Sequence, residues 1–338
     1  MRTALALICL ALLAAFPAAD ARAQTAPPNQ AGGEAPKSEA TPELKEAARL
    51  NGEVVKLYAA GKYEDALPLA ERCLELYEKE LGRSHTLVAG ALLNLAATER
   101  SLNRLEDAKG HYRRAASILE KAGDEGVRPL INAVEGQARL ESDIYNAAEL
   151  HKRALDLGEK AYGPDAPELA QMLFPLGHVN ELLGRRADAE RYFKRFLDVA
   201  AKAKGAREDD LAVAYLRLGC IAGKDGKEGE AAAYKARAEG MLKLGPIEGG
   251  VINGKAISKP QPSYPAEAKQ ARAEGTVPVD MLVGENGVVL YACARGDTHP
   301  SLKAASEFAA YNARFTPTRL NGKPVKVRGV ITYRFVLR

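Results

Sequence analysis

Between residues 41 and 244 the apolar positions follow the 3.6-residue period of amphipathic helices, and a longer period overlies it. A small residue opens the second helix of each unit: Ala66, Ala108, Ala147, Ala189 and Ala231, at spacings of 42, 39, 42 and 42. Twelve residues ahead of four of these stand Val54, Ala96, Gly177 and Gly219. Seven residues after them come Cys73, Ala115, Ala154, Phe196 and Ala238. Small side chains at such positions let two antiparallel helices approach closely, while Leu and Tyr fill the groove between them. Turn residues Gly61-Lys62, Asn103-Arg104, Gly184-Arg185 and Gly226-Lys227 separate the helices of a pair. A period of this size predicts five helical hairpins stacked as a solenoid. The middle one is irregular: its short spacing, Gly136 and Ile144-Tyr145 suggest a deletion in the inter-helix turn. Pro175 falls inside a helical pattern and is expected to kink it. Order is expected to begin at Thr41-Pro42-Glu43, a cap, a helix-starting proline and an acid facing the positive helix end.

After a Gly/Pro segment at 245–250, read as a linker, the period drops to two. Val277, Val279, Met281 and Val283 alternate with Pro278, Asp280 and Leu282, a turn follows at Glu285-Asn286-Gly287, and Val288 to Arg295 returns as the second strand of a hairpin. Leu302 to Ala313 is a helix with Leu302, Ala305, Phe308, Ala309 and Asn312 along its stripe. From Val325 to Leu337 an apolar and a basic face alternate along a long final strand. Pro278 cannot donate to a ladder and should therefore sit at a bulge or an edge.

The phrases LELYEKELGRSHTLVAGALLNLA and GPDAPELAQMLFPLGHVNELLGRRADAERYFKRFLDVA resemble tetratricopeptide repeats of the long, kinesin-light-chain variety. The segment from Lys259 resembles the C-terminal domain of TonB. The resemblance rests on Gln261-Pro262-Ser263-Tyr264-Pro265, Gly275-Thr276-Val277, Gly287-Val288, Arg314-Phe315-Thr316-Pro317 and Gly322-Lys323-Pro324-Val325. Together these imply a multidomain chain: an all-α tetratricopeptide solenoid (41–244) followed by a small α+β domain (251–338) with an antiparallel sheet and a helix. In the TonB family that domain captures a short receptor peptide as an added strand. The resemblance implies peptide-binding roles for Gln261, Pro262, Tyr264 and Pro265, and for the exposed backbone of Val330, Ile331, Thr332, Tyr333, Arg334 and Phe335. Its partners would be proteins or peptides of the cell envelope, with TonB-dependent outer-membrane receptors as one class. On the solenoid, Asn51, Asn94, Arg100, Lys109, Arg113 and Asn180 are groove candidates by helix position.

Composition narrows this further. A net charge of +4 over 338 residues does not select nucleic acid. The charge is uneven: residues 249–338 hold 13 Lys/Arg against 6 Asp/Glu, which favours an acidic partner and keeps an exposed strand edge soluble. Residues 1–23 have the form of an export signal, with Arg2, an apolar run from Ala4 to Ala19 and a small-x-small site at Ala21-Arg22-Ala23. As a helix the run would reach only about 25 Å, short of a ~30 Å hydrocarbon core. Cleavage before Gln24, a polar leader at 24–40 and a periplasmic location follow; an uncleaved inner-membrane anchor is the alternative, and membrane association follows only in that case. The transducer itself needs ionisable contacts in a retained helix and a long Pro-rich arm, and neither is here. A structural adaptor with no part in uptake is therefore the rival function, with a membrane-anchored transducer the alternative if the N-terminal helix is retained, and an enzyme with an unrecognised site the third.

Three cysteines follow the signal, Cys73, Cys220 and Cys293, an odd count read as three buried thiols. His85, His111, His151, His178 and His299 are scattered and read as exposed by chance. No catalytic motif, phosphate loop, metal set or cofactor signature is found.

Overall fold

The computed structural model describes residues 41–203, 207–242 and 255–337. The segments read as signal, leader and linker (1–23, 24–40 and 245–250) lie outside these. Packing divides the chain into a unit ending at Gly184 and a unit from Arg185 onward. That division falls within the repeat array, ahead of the change in period.

The first unit holds α1 (Pro42–Ala59), α2 (Tyr63–Leu81), α3 (Thr86–Ser101), α4 (Leu105–Lys121), α5 (Val127–Leu140), α6 (Ile144–Tyr162) and α7 (Ala170–Leu182). The chain enters α1 as its sequence dictates, with Pro42 first and the Thr41 hydroxyl accepting from the Leu44 N–H at 3.2 Å. Ala66, Ala108 and Ala147 are buried, as are Cys73, Ala115 and Ala154. At these points a larger group would separate the helices. The turns bear out the pattern: Gly61 and Asn103 take φ of 73° and 61°, the left-handed conformation that ends a helix and turns the chain back.

The third hairpin corrects the expected deletion. Its turn, 141–143, is as long as those at 60–62 and 102–104. The shortening lies in the helices ahead of it: α4 has 17 residues where α2 has 19, and α5 has 14 where α3 has 16. Asp143 starts α6 by accepting from the N–H groups of Tyr145 and Asn146 at 2.9 and 3.0 Å. Gly136 lies inside α5 for a packing reason: a Cβ there would be 2.4 Å from the Tyr112 ring. Helix α7 runs on through the buried Pro175.

The histidines correct a second expectation, since none is idle. His85 and His299 cap helices, accepting from the N–H groups of Leu87 and Ser301. His111 lies 2.7 Å from the buried Glu99, and the fully buried His151 lies 3.0 Å from Glu135. His178 is buried 3.7 Å from Glu181. Two of these acids sit on a neighbouring helix, 12 or 16 residues away, where a local motif does not reveal them.

The second unit holds α8 (Arg186–Ala200), α9 (Glu208–Lys224) and α10 (Glu228–Leu242), then β1 (Ala256–Ser258), α11 (Ala266–Gln270), β2 (Gly275–Val283), β3 (Val289–Ala294), α12 (Pro300–Tyr311), β4 (Arg314–Phe315), β5 (Arg319–Leu320), β6 (Lys323–Pro324) and β7 (Val327–Phe335). The main sheet has the order β3-β2-β7, antiparallel throughout, and α12 packs against it. One face, with Val277, Val279, Met281, Ile331, Tyr333 and Phe335, is buried. The α12 stripe is shifted from the expected one: Leu302, Ser306, Ala309 and Ala310 are buried, while Ala305 and Phe308 are half-buried. Ser306 fits inside because its hydroxyl donates to the Leu302 carbonyl at 2.8 Å.

Pro278 is neither at a bulge nor on an edge strand. It sits in the central strand β2, opposite Thr332, one residue beyond the β3 ladder that opens at Val279 and Ala294. Its carbonyl accepts from Arg295 at 2.8 Å on the β3 side, so the side where it lacks an N–H is where β3 has ended.

Candidate peptide-binding edge

The orientation of Pro278 fixes which groups of β7 are available. In an antiparallel ladder the N–H and C=O of one residue point to the same neighbour, and the next residue points the other way. Pro278 points to β3, so its opposite, Thr332, points away from β2. Val330 and Arg334 share that direction, while Ile331, Tyr333 and Phe335 bond into the sheet. The expected run of exposed backbone from Val330 to Phe335 is therefore halved, to Val330, Thr332 and Arg334, and these three are also the exposed residues of that run. No strand pairs with the other side of β7 among the described residues.

The Gln261–Pro265 segment comes to the C-terminal end of this strand. Tyr264 sets its ring edge-on to Phe335 at 5.4 Å and donates its hydroxyl to the Ala273 carbonyl at 2.6 Å. Lys259 places its ammonium 6.0 Å from the Tyr333 ring centre. Burial pushes the Tyr333 phenol up to about 12, and it stays neutral. Gln261 is exposed, whereas Pro262, Tyr264 and Pro265 are half-buried. The two sets of candidates thus meet, but Tyr264 also holds the sheet end, and removing its ring disturbs packing together with any peptide contact.

The basic face of the last strand is less open than its sequence implies. Lys326 is 2.8 Å from Asp209 at the start of α9, and Arg328 pairs with Glu239 of α10. Further pairings fasten the same joint. Lys224 lies 2.8 Å from Glu307, whose carboxylate also accepts the Ala294 N–H at 2.7 Å. Arg217 is buried, donates to the Tyr311 hydroxyl at 2.8 Å, and stacks near Phe193 and Tyr311. A disulfide joins Cys220 of α9 to Cys293 of β3, across 73 residues. This overturns the reading of three free thiols: the odd cysteine is Cys73 alone, buried, its thiol donating to the Ala47 carbonyl and pushed up to about 12 by burial. Each bonded cysteine lies in a different patterned region, so spacing along the chain could not pair them.

The groove candidates of the helical repeats are largely occupied within the fold. Asn94 is buried and donates to Asn51 at 2.7 Å, joining α3 to α1. Asn180 is buried and bonds the Leu176 carbonyl of its own helix. Lys109 pairs with Glu141 at 3.1 Å. Arg100 is half-buried, and Arg113 is exposed.

No helix among the described residues is long and apolar enough to cross a membrane. Residues 54–121 and 138–202 match the family model of the tetratricopeptide repeat, and residues 260–337 match that of the Gram-negative bacterial TonB protein C-terminal. Among solved structures, a putative kinesin light chain of nearly identical TPR-like repeats from Podosopora anserina aligns at a TM-score of 0.49 and 14% identity, over 58% of this chain and 95% of that one. BtubC (BKLC) from P. vanneervenii aligns at 0.44 and 16%, over 67% and 100%. PilW, a type IV pilus biogenesis factor, aligns at 0.37 and 16%, over 59% and 95%. No match is found among curated proteins. Both matched families are protein-interaction domains, and the chain carries tetratricopeptide repeats followed by a TonB-type C-terminal domain.

Proposed function

We propose that this is a periplasmic protein-binding molecule of the Gram-negative envelope that captures an extended segment of a partner as a strand added to β7. The observation that carries the reading is the open side of β7, with Val330, Thr332 and Arg334 presenting their backbone groups outward beside Gln261. Strand addition draws affinity from main-chain hydrogen bonds, and selectivity from the side chains around them. The helical repeats provide a second protein-binding surface. Outer-membrane receptors are one class of partner; an envelope adaptor that holds two proteins together uses the same edge.

The test is Thr332→Pro, which deletes one outward donor at a solvent-facing edge position where proline is tolerated. The full-length variant should keep the circular dichroism of wild type and lose capture of envelope proteins in pull-downs. A folded variant that captures the same proteins would remove the edge from consideration. Location has its own measurement. Mass spectrometry of the purified protein should find Gln24 at its start in the periplasmic fraction, whereas recovery of residues 1–23 in the membrane fraction would favour an anchored transducer.

A further inference from the structure

We propose that the captured strand does not lie on the sheet alone but enters a two-walled cleft, and that it is an acidic, extended segment with alternating apolar side chains. This rests on the strand-addition reading. Within the second unit a cleft of about 1230 Å³ lies between the last helical pair and the sheet. Leu216, Gly223, Ala231, Ala232 and Lys235 line it from α9 and α10, while Leu282, Tyr291, Arg328 and Val330 line it from the sheet. Register puts the last four on the sheet face that also carries Cys293. The disulfide, whose two cysteines both line the cleft, holds the walls together.

Three observations define the occupant. First, Val330, whose backbone groups point away from β2, also lines the cleft, so a strand paired with β7 at Val330 comes to the mouth of the cleft. Second, Val330 and Leu320 are large apolar side chains left 43% and 50% exposed, and both line this cleft. A partner with apolar residues on one face would cover them, since side chains of an added strand alternate between the two faces. Third, the lining acids are mostly neutralised: Glu239 pairs with Arg328, Asp280 with Arg295 and Glu285 with Lys326. Lys235 and Lys303 then stand against Glu228 alone, and the exposed Arg334 continues the positive side along the strand. The excess of basic over acidic residues in 249–338 extends the same preference.

The probe is a fluorescein-labelled synthetic peptide alternating Val with Glu and Thr, read by fluorescence polarisation against the full-length oxidised protein. Ala232→Trp fills the helical wall, and Lys235→Glu inverts its charge. Both positions are exposed on α10, and circular dichroism confirms folding. Wild type should bind, and each wall variant should bind about tenfold more weakly, as should a peptide with Lys in place of Glu. Thr332→Pro should abolish binding. If Thr332→Pro abolishes binding while the folded wall variants match wild type, strand addition stands and the two-walled cleft is overturned. Equal binding by wild type and Thr332→Pro overturns strand addition itself. No binding by wild type overturns the acidic, alternating occupant.

Discussion

Replacing Cys220 and Cys293 together by alanine should lower the stability of the second unit by about 4 kcal/mol, the scale expected for a bond closing a loop of this length. The bond joins residues 73 apart, and without it the unfolded chain gains the freedom that the closed loop denied it. Urea denaturation followed by circular dichroism measures the loss, and wild type unfolded in the presence of a dithiol should coincide with the variant. The native bond should resist that dithiol. Both cysteines are buried, and a Glu307 carboxylate oxygen lies within 4.8 Å of their sulfurs, so the thiolates that reduction passes through are disfavoured. Denatured without reductant, a chain trimmed to start at Gln24 should expose the Cys73 thiol alone. Three reactive thiols in that assay would mean that the bond does not form.

The second large effect is expected at Gly287. Its φ of 81° is left-handed, and a Cβ there would stand 1.8 Å from the Phe315 carbonyl oxygen. The same residue accepts from the Phe315 N–H at 3.0 Å, so it is held in place by the strand it would strike. Gly287→Ala therefore combines backbone strain with a clash against backbone, a loss of about 3 kcal/mol. Thermal melting should show the sheet domain destabilised. Melting indistinguishable from wild type would mean that the β2–β3 turn can move away from β4.

Much of this architecture is legible in the chain. The anchors Ala66, Ala108 and Ala147 mark close helix approaches because only small groups fit there, and a fixed spacing exposes the repeat. Alternation from Val327 to Phe335 likewise reveals a strand with one buried face. What escapes is whatever depends on two distant segments meeting. The shortened spacing before Ala147 says that residues are missing, but not that α4 and α5 lost them, since helix and turn lengths trade off freely in a count. Glu135 finds His151 only once α5 and α6 are packed. Cys293 is equally silent about Cys220. A clue was present, however: a helical stack needs a cover for the apolar surface of its last repeat, and α9 carries Val213, Leu216 and Cys220 with one hairpin partner still to follow. The binding edge was half legible. The last strand could be named, but which of its amides face outward had to wait for the pairing of Pro278 with Thr332.

That proline also bears on where an intruding chain can attach. Beyond the end of β3 the ladder partners of β2 lie on the β7 side, while on the other side Arg295 still donates to the Pro278 carbonyl. Residues 276 and 278 face that other side, and at 278 the acceptor is already taken and there is no hydrogen to give. A foreign strand arriving there finds residue 278 with its acceptor filled and its donor struck out, whereas along β7 it finds an unbroken alternation of donors and acceptors. One side of β2 is thus barred at 278 while the edge of β7 is open, a built-in bias between the two. Restoring the missing amide, as in Pro278→Val, would be expected to loosen that bias and invite self-association before it cost any stability.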